Sequence, residues 1–248
     1  MLPVRSVAVK QKRRLDAAHV TMARLTIIMP VLNESERIVA ALEAVADLRA
    51  RGTEVIVVDG GSRDATVQLA RLGADHVLSA PQGRALQMNA GAERASGDVL
   101  LFLHADTRLP AGADRIVLNG LKRSGRAWGR FDVKIDSRLR LLSFVGLLMN
   151  LRSRLSGIAT GDQAIFVCRA AFQTVGGFPA IGLMEDIALS KQLKTVSRPL
   201  CLGESVITSG RRWEKSGILN TIALMWRLRL AYFFGADPNK LAQHYRYE

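Results

Sequence analysis

Cysteine is scarce: Cys168 and Cys201 are the only two in 248 residues, and they form no C-x-x-C pair. That excludes a disulfide framework and a thiolate zinc cage, and it suits a reducing compartment. No apolar run reaches the ~20 residues that a membrane-crossing helix needs. The first residues carry scattered bases (Arg5, Lys10, Lys12, Arg13, Arg14) without the apolar core of a signal peptide. The expected location is therefore the cytoplasm. Neither a G-x-G-x-x-G run nor a G-K-[ST] P-loop is present, which argues against a simple dinucleotide oxidoreductase or ATPase. Internal repeats and low-complexity stretches are also absent. Acidic residues are few, 22 against 35 Lys and Arg, for a formal net charge of +13. Such a balance fits an anionic partner: a nucleotide diphosphate, an acidic membrane face or nucleic acid. No nucleic-acid-binding signature accompanies it, so nucleic acid is not expected as the partner.

What is present is core-forming. With 48% hydrophobic residues, the chain can bury a full core. Residues 1–21 show no period and read as a basic, unstructured arm, with Met22 as an alternative start. Leu25-Thr26-Ile27-Ile28-Met29 reads as a buried strand closed by Pro30. Asn33 or Ser35 can cap a helix whose apolar face runs Ile38, Leu42 and Val45, ending at Gly52. A second buried strand, residues 54–58, runs into Asp59-Gly60-Gly61-Ser62, and Asp64 caps the next helix. A short strand at 75–78 and a helix at 83–95 follow. Next come Leu100-Leu101-Phe102-Leu103 and then His104-Ala105-Asp106. Strands and helices alternating in this way predict an α/β fold with a mostly parallel central sheet covered on both faces.

The second half is less regular. Residues 127–133 read as a strand beside the sheet edge, 163–168 as a strand, 185–195 as a helix and 200–207 as a last strand. Residues 138–155 and 217–234 read as apolar helices.

His104 and Asp106, two positions apart at the end of the strand at 100–103, point to the same side and together suit one divalent cation. Ligands of open α/β sheets sit beyond the carboxyl ends of the strands. Taken singly, each site residue also has a plainer role. A strand-end Asp such as Asp59 is commonly a turn residue, helix-opening carboxylates such as Glu185 and Asp186 favour the helix dipole, and Arg84 suits either solvent or a phosphate. Gly161-Asp162-Gln163 reads either as a turn or as an acceptor contact.

The ordered set carries more than its members. Met29-Pro30-Val31-Leu32-Asn33-Glu34, Val57-Val58-Asp59-Gly60-Gly61-Ser62-Arg63-Asp64, Leu103-His104-Ala105-Asp106-Thr107 and Gly176-Gly177-Phe178 with Glu185-Asp186 follow one another at spacings that resemble the family 2 glycosyltransferases of GT-A fold. The resemblance covers about residues 22–213. Gly83-Arg84-Ala85-Leu86-Gln87-Met88-Asn89-Ala90-Gly91 and Arg211-Arg212-Trp213-Glu214-Lys215 resemble a narrower bacterial branch. It comprises the arsenosugar-biosynthesis-type glycosyltransferases and is similar to carotenoid-acid glucosyltransferases.

The resemblance implies transfer of a hexose from a nucleotide-diphospho-sugar, expected to be a UDP-sugar, with inversion at the anomeric carbon. It assigns Pro30, Asn33, Glu34 and Asp59 to the nucleoside pocket. Asp106 becomes the last Asp of a D-x-D motif that holds Mg²⁺ or Mn²⁺ against the diphosphate. His104 replaces that motif's first Asp, as a second metal ligand or as a donor to ribose or phosphate. Asp186 is the expected general base, with Glu185 orienting it or the acceptor. Arg84, Arg212 and Trp213 are expected around the diphosphate. Ser209 stands where processive relatives carry Gln or Arg, so that motif is incomplete and polymerisation is not expected.

The implied organisation is a GT-A domain over residues 22–214, with a nucleotide-sugar half (22–107) and an acceptor half (108–214). A helical segment, 215–248, follows. Trp226, Phe233 and Phe234 beside Arg227 and Arg229 suit an interfacial helix and a lipid-soluble acceptor met at a membrane surface; an ordinary core or dimer helix is the alternative. A catalytically inactive nucleotide-sugar-binding protein and a nucleotidyltransferase are the rival functions.

Overall fold

The computed structural model describes residues 23–245, apart from the side chains of Arg140, Arg212, Lys215, Ser216 and His244. The expected basic arm lies outside the described residues.

The first half alternates as the apolar runs dictate. Strand β1 (Leu25–Val31) leads to two short helices, α1 (Ile38–Glu43) and α2 (Ala46–Ala50), then β2 (Glu54–Asp59), α3 (Thr66–Ala70), β3 (His76–Ser79), α4 (Arg84–Arg94) and β4 (Val99–Phe102). A two-residue strand β5 (Thr107–Arg108) and helix α5 (Ala113–Ser124) follow. The second half comprises β6 (Trp128–Asp136), α6 (Arg140–Ser156), a 3₁₀ turn (Gly161–Gln163), β7 (Phe166–Cys168) and α7 (Arg169–Thr174). The chain then runs through α8 (Glu185–Val196), β8 (Leu200–Ser209), α9 (Arg211–Ser216), α10 (Ile218–Phe233) and α11 (Pro238–His244).

All eight strands join one sheet in the order β3-β2-β1-β4-β7-β6-β8-β5. The first four are parallel; β7 runs antiparallel to both β4 and β6, and β8 is parallel to β6. Helices bury both faces of the parallel part, which explains the near-continuous apolar strands. Leu25, Ile27, Met29 and Val31 pack on one side with α1, α2 and α5, whereas Ile28, Ile56, Val58 and Leu100 pack on the other with α4, α7 and α8.

Five expectations are corrected. The strand expected at the edge, residues 127–133, is the interior strand β6: Trp128, Phe131 and Val133 are buried, and it pairs with both β7 and β8. The strand expected at 163–168 is half turn, because Gln163 closes a capping box with Thr160. The first helix breaks at Ala44–Val45 into α1 and α2. Its expected caps serve elsewhere: Arg37 is the N-cap of α1 and makes no side-chain cap bond, while Asn33 and Ser35 bond to the loop after β2. Asp64 stands one residue outside the N-cap of α3 (Ala65) and ties Ser35 N–H to Thr66.

Candidate active site

Because β1, β2 and β4 are parallel, their carboxyl ends open on the same edge, and the loops there are locked together. Asn33 adopts a left-handed backbone (φ 53°); its N–H donates to Ser62 Oγ at 2.8 Å and its Oδ1 accepts from Arg63 N–H at 2.9 Å. Glu34 N–H donates to Thr66 Oγ1 at 2.7 Å. Asp59 is buried and accepts from the N–H groups of Gly61 (2.9 Å) and Ser62 (3.0 Å), the turn role its position suggested. Pro30 lies half-buried within β1.

Helix α4 explains most of its own motif. Buried Gln87 donates to the carbonyls of Val31 and Val58, both at 2.8 Å, and so bridges β1 to β2 where the loops begin. Asn89 exchanges two bonds with Phe178, donating to its carbonyl at 2.8 Å and accepting from its N–H at 2.9 Å. That pins the Gly176–Pro179 turn to the helix. Gly91 is required by close approach, since a Cβ there would lie 2.4 Å from Ile28 Cγ2. Phe178 also meets Phe102 edge-on, ring centroids 4.8 Å apart, a contact worth about 0.5–1.5 kcal/mol beyond its burial.

The pinned turn delivers Glu185 and Asp186. Met184, the N-cap of α8, is buried in a left-handed conformation (φ 68°), an arrangement that surrounding packing must enforce. Ala164, just past the 3₁₀ turn, has φ 46°. The three described non-glycine residues of positive φ thus all border this site. Asp186 accepts from Gly161 N–H at 2.9 Å and from Ile187 N–H at 2.7 Å. Glu185 is buried, and desolvation, with the charge of Asp186 added, pushes its pKa up to about 7; Arg84 and His104 act against the rise. Met88, Phe102, His104, Gly161, Ile165, Phe178, Glu185 and Asp186 line one small recess.

His104 and Asp106 separate. Strand β4 ends at Phe102, and residues beyond it turn, closed by Thr107 N–H donating to the His104 carbonyl at 3.1 Å. The alternation that would put both on one side therefore does not apply. His104 lies against Gly161, where a Cβ would come within 2.6 Å of its ring, and 3.7 Å from Asp162. Asp106 is exposed, with Oδ1 accepting from the Thr107 hydroxyl at 3.2 Å. Its charge helps raise the pKa of Glu34, chiefly lifted by burial and opposed first by Arg37. Arg84, at the start of α4, acts electrostatically on both Glu34 and Glu185.

Among the described residues no three His, Cys, Asp or Glu side chains cluster as a metal cage. Asp106 nevertheless fits a hard cation that shares its coordination with phosphate oxygens: an exposed carboxylate is the usual single protein ligand of such an ion. The imidazole of His104 faces Asp162 and Glu185 instead.

Trp213 does not join these residues. It packs against Ile135, Leu142 and Val145 beneath α6. Arg212 sits on α9, its side chain outside those described. Conversely, Arg152 and Tyr232 reach the Asp186 end of the site, and Arg229 lies beside Arg152; of the three, only Arg229 stood out in the sequence, as part of an interfacial helix. A charge inside an otherwise apolar helix was the available signal.

A family model described as "Glycosyl transferase family 2" matches residues 26–156. The poly-β-1,6-N-acetyl-D-glucosamine synthase of Staphylococcus aureus (strain COL) is 25% identical over 214 residues, 83% of this chain and 46% of that protein. The chain thus spans about half the length of that relative. A crystal structure of S. aureus TarS 1–349 in complex with UDP-GlcNAc aligns at TM-score 0.61 and 18% identity, over 75% of this chain and 58% of that one. The mannosyltransferase PcManGT from Pyrobaculum calidifontis, in complex with GDP-Man and Mn²⁺, aligns at TM-score 0.59 and 20% identity, over 91% and 68%. The shared architecture is the GT-A fold.

Proposed function

The chain belongs to glycosyl transferase family 2, and on that premise we propose that it moves a hexose from a UDP-sugar to an acceptor with inversion at the anomeric carbon. The observation that carries this reading is the convergence on one sheet edge of three groups: the clasped β1 and β2 loops, Asp106 with Arg84, and the Glu185–Asp186 pair.

In this scheme Asp59, Asn33, Glu34 and Pro30 line the nucleoside pocket. Asp106 holds Mg²⁺ or Mn²⁺, which when bound offsets the charge gained by the departing diphosphate. Arg84, whose charge acts on both acidic clusters, meets the phosphates. Asp186 removes the acceptor's proton from the face opposite the leaving group, as in-line inversion requires. Its two backbone bonds fix its direction. Glu185 is desolvated, and its pKa is pushed up to about 7. His104, turned to Asp162 and Glu185, belongs with the sugar and acceptor rather than with the metal. The exposed apolar faces of α6 and α10 support peripheral contact with a membrane from which a lipid-soluble acceptor would be met. No helix among the described residues is long and apolar enough to cross one.

The test is Asp186→Asn. Calorimetry should find UDP-sugar affinity unchanged, while transfer, followed by UDP release with acceptor present, falls about 10²–10⁴-fold. Transfer at the wild-type rate removes Asp186 as the base.

A further inference from the structure

Arg152 on α6 and Arg229 on α10 stand apart from the other arginines of this half. Arg130 and Arg154 both pair with Asp132. Arg152 Nε and Nη2 and Arg229 Nε are buried without a hydrogen-bond partner among the described residues; Arg130 Nε is too, but Arg130 keeps its carboxylate through Nη1. A guanidinium does not escape burial by losing its proton, so unmatched N–H groups there are costly. The two arginines are near enough to repel: burial and Arg229 together bring the pKa of Arg152 down to about 10, while Asp186 and Asp162 oppose the fall. Those carboxylates do not complete the pairing. Asp186 is held by Gly161 and Ile187 N–H groups, and Asp162 faces His104. Tyr232, one turn beyond Arg229, also feels the charge of Asp186.

We propose that Arg152 and Arg229 form the binding site for a carboxylate or phosphate group on the acceptor, beside the base. Planar forks of N–H donors match the paired oxygens of such an anion, and a shared anion would turn two repelling charges into a site. The assignment rests on reading the Asp186 end as the acceptor side. The anion is either a free acid or the head of a lipid; exposed Leu147, Leu151, Leu230 and Phe233 on the same two helices suit the second source.

The experiment uses the full chain saturated with UDP and Mn²⁺, titrated with inorganic phosphate by calorimetry. Wild type should bind phosphate. Arg152→Met and Arg229→Met should each weaken that binding at least about tenfold, Arg152→Lys less. UDP affinity should stay unchanged, and the melting temperature of Arg152→Met should equal or exceed that of wild type. Vesicles of equimolar phosphatidylcholine and phosphatidic acid that displace phosphate, where pure phosphatidylcholine does not, identify a lipid anion; displacement by neither identifies a soluble acid. Phosphate binding that is absent from wild type or undiminished in the Met variants overturns the proposal. So does a loss of UDP affinity in those variants, which would make the arginines donor ligands. Wild type that takes phosphate but no UDP leaves the anion site standing and removes the donor reading.

Discussion

Around β1, β2 and α4 polar side chains close on the backbone. Asn33, Asp59, Asp64 and Gln87 each bond to a neighbouring loop or strand end. Around α6, α8 and α10 some do the same, Asn150 with Val133 and Asp186 with Gly161, but every buried side-chain nitrogen or oxygen without a partner, among the described residues, lies at Arg130 or beyond. The apolar surface divides the same way. Leu155, Trp226, Phe233 and Phe234 are each more than 70% exposed, and among the described residues of the first hundred only Leu72 is comparable. The donor side is thus finished by its own hydrogen bonds, while the acceptor side keeps features that burial alone disfavours. Marginal stability makes such features expensive to keep without a use.

The contrast predicts opposite signs for removing a polar group on the two sides. The largest effect is expected from Glu185→Gln. Its raised pKa means that, between the ordinary carboxyl value and neutral pH, the unfolded chain loses a proton that the folded chain keeps, so stability falls as pH rises through that window. At pH above about 7 the variant should be more stable than wild type by up to about 3 kcal/mol, the gap closing at acid pH. Denaturant unfolding at several pH values measures it; a variant less stable throughout would break the contrast. On the donor side Gln87→Leu should lower stability by about 2 kcal/mol, because the carbonyls of Val31 and Val58 lose their side-chain donor. Thermal melting checks this, and an unchanged midpoint would contradict the clamp. The smallest change is expected from Leu147→Ser with Leu151→Ser. These exposed residues should alter stability by less than about 0.5 kcal/mol. Co-sedimentation with anionic vesicles should nonetheless decrease; unchanged sedimentation would dissociate α6 from the membrane.

Much of the donor half was legible because buried parallel strands write themselves as uninterrupted apolar runs. Residues 54–58 and 100–103 needed nothing else. Helix starts were harder. Asn33, Ser35 and Asp64 have the chemistry of caps, and only the distant loop shows that their bonds go there. The place of β6 was hidden because Trp128 to Val133 reads alike at an edge or in the middle, and its neighbours β7 and β8 come much later in sequence. Asp106 was found by its motif, but its pairing with His104 assumed a strand that in fact ends at Phe102. Arg152 and Arg229 were visible as charges in apolar helices; that they meet each other and Asp186 depends on how α6, α8 and α10 pack, which no local pattern records.

Calorimetric titration of UDP with Mn²⁺ into wild type, Asp106→Asn and Arg152→Met tests the division between the two sides most directly. Wild type and Arg152→Met should bind alike, and Asp106→Asn should bind about 10–100-fold more weakly, the difference vanishing without metal. Equal affinity in Asp106→Asn, or heat from other nucleotide diphosphates but none from UDP, would contradict the account.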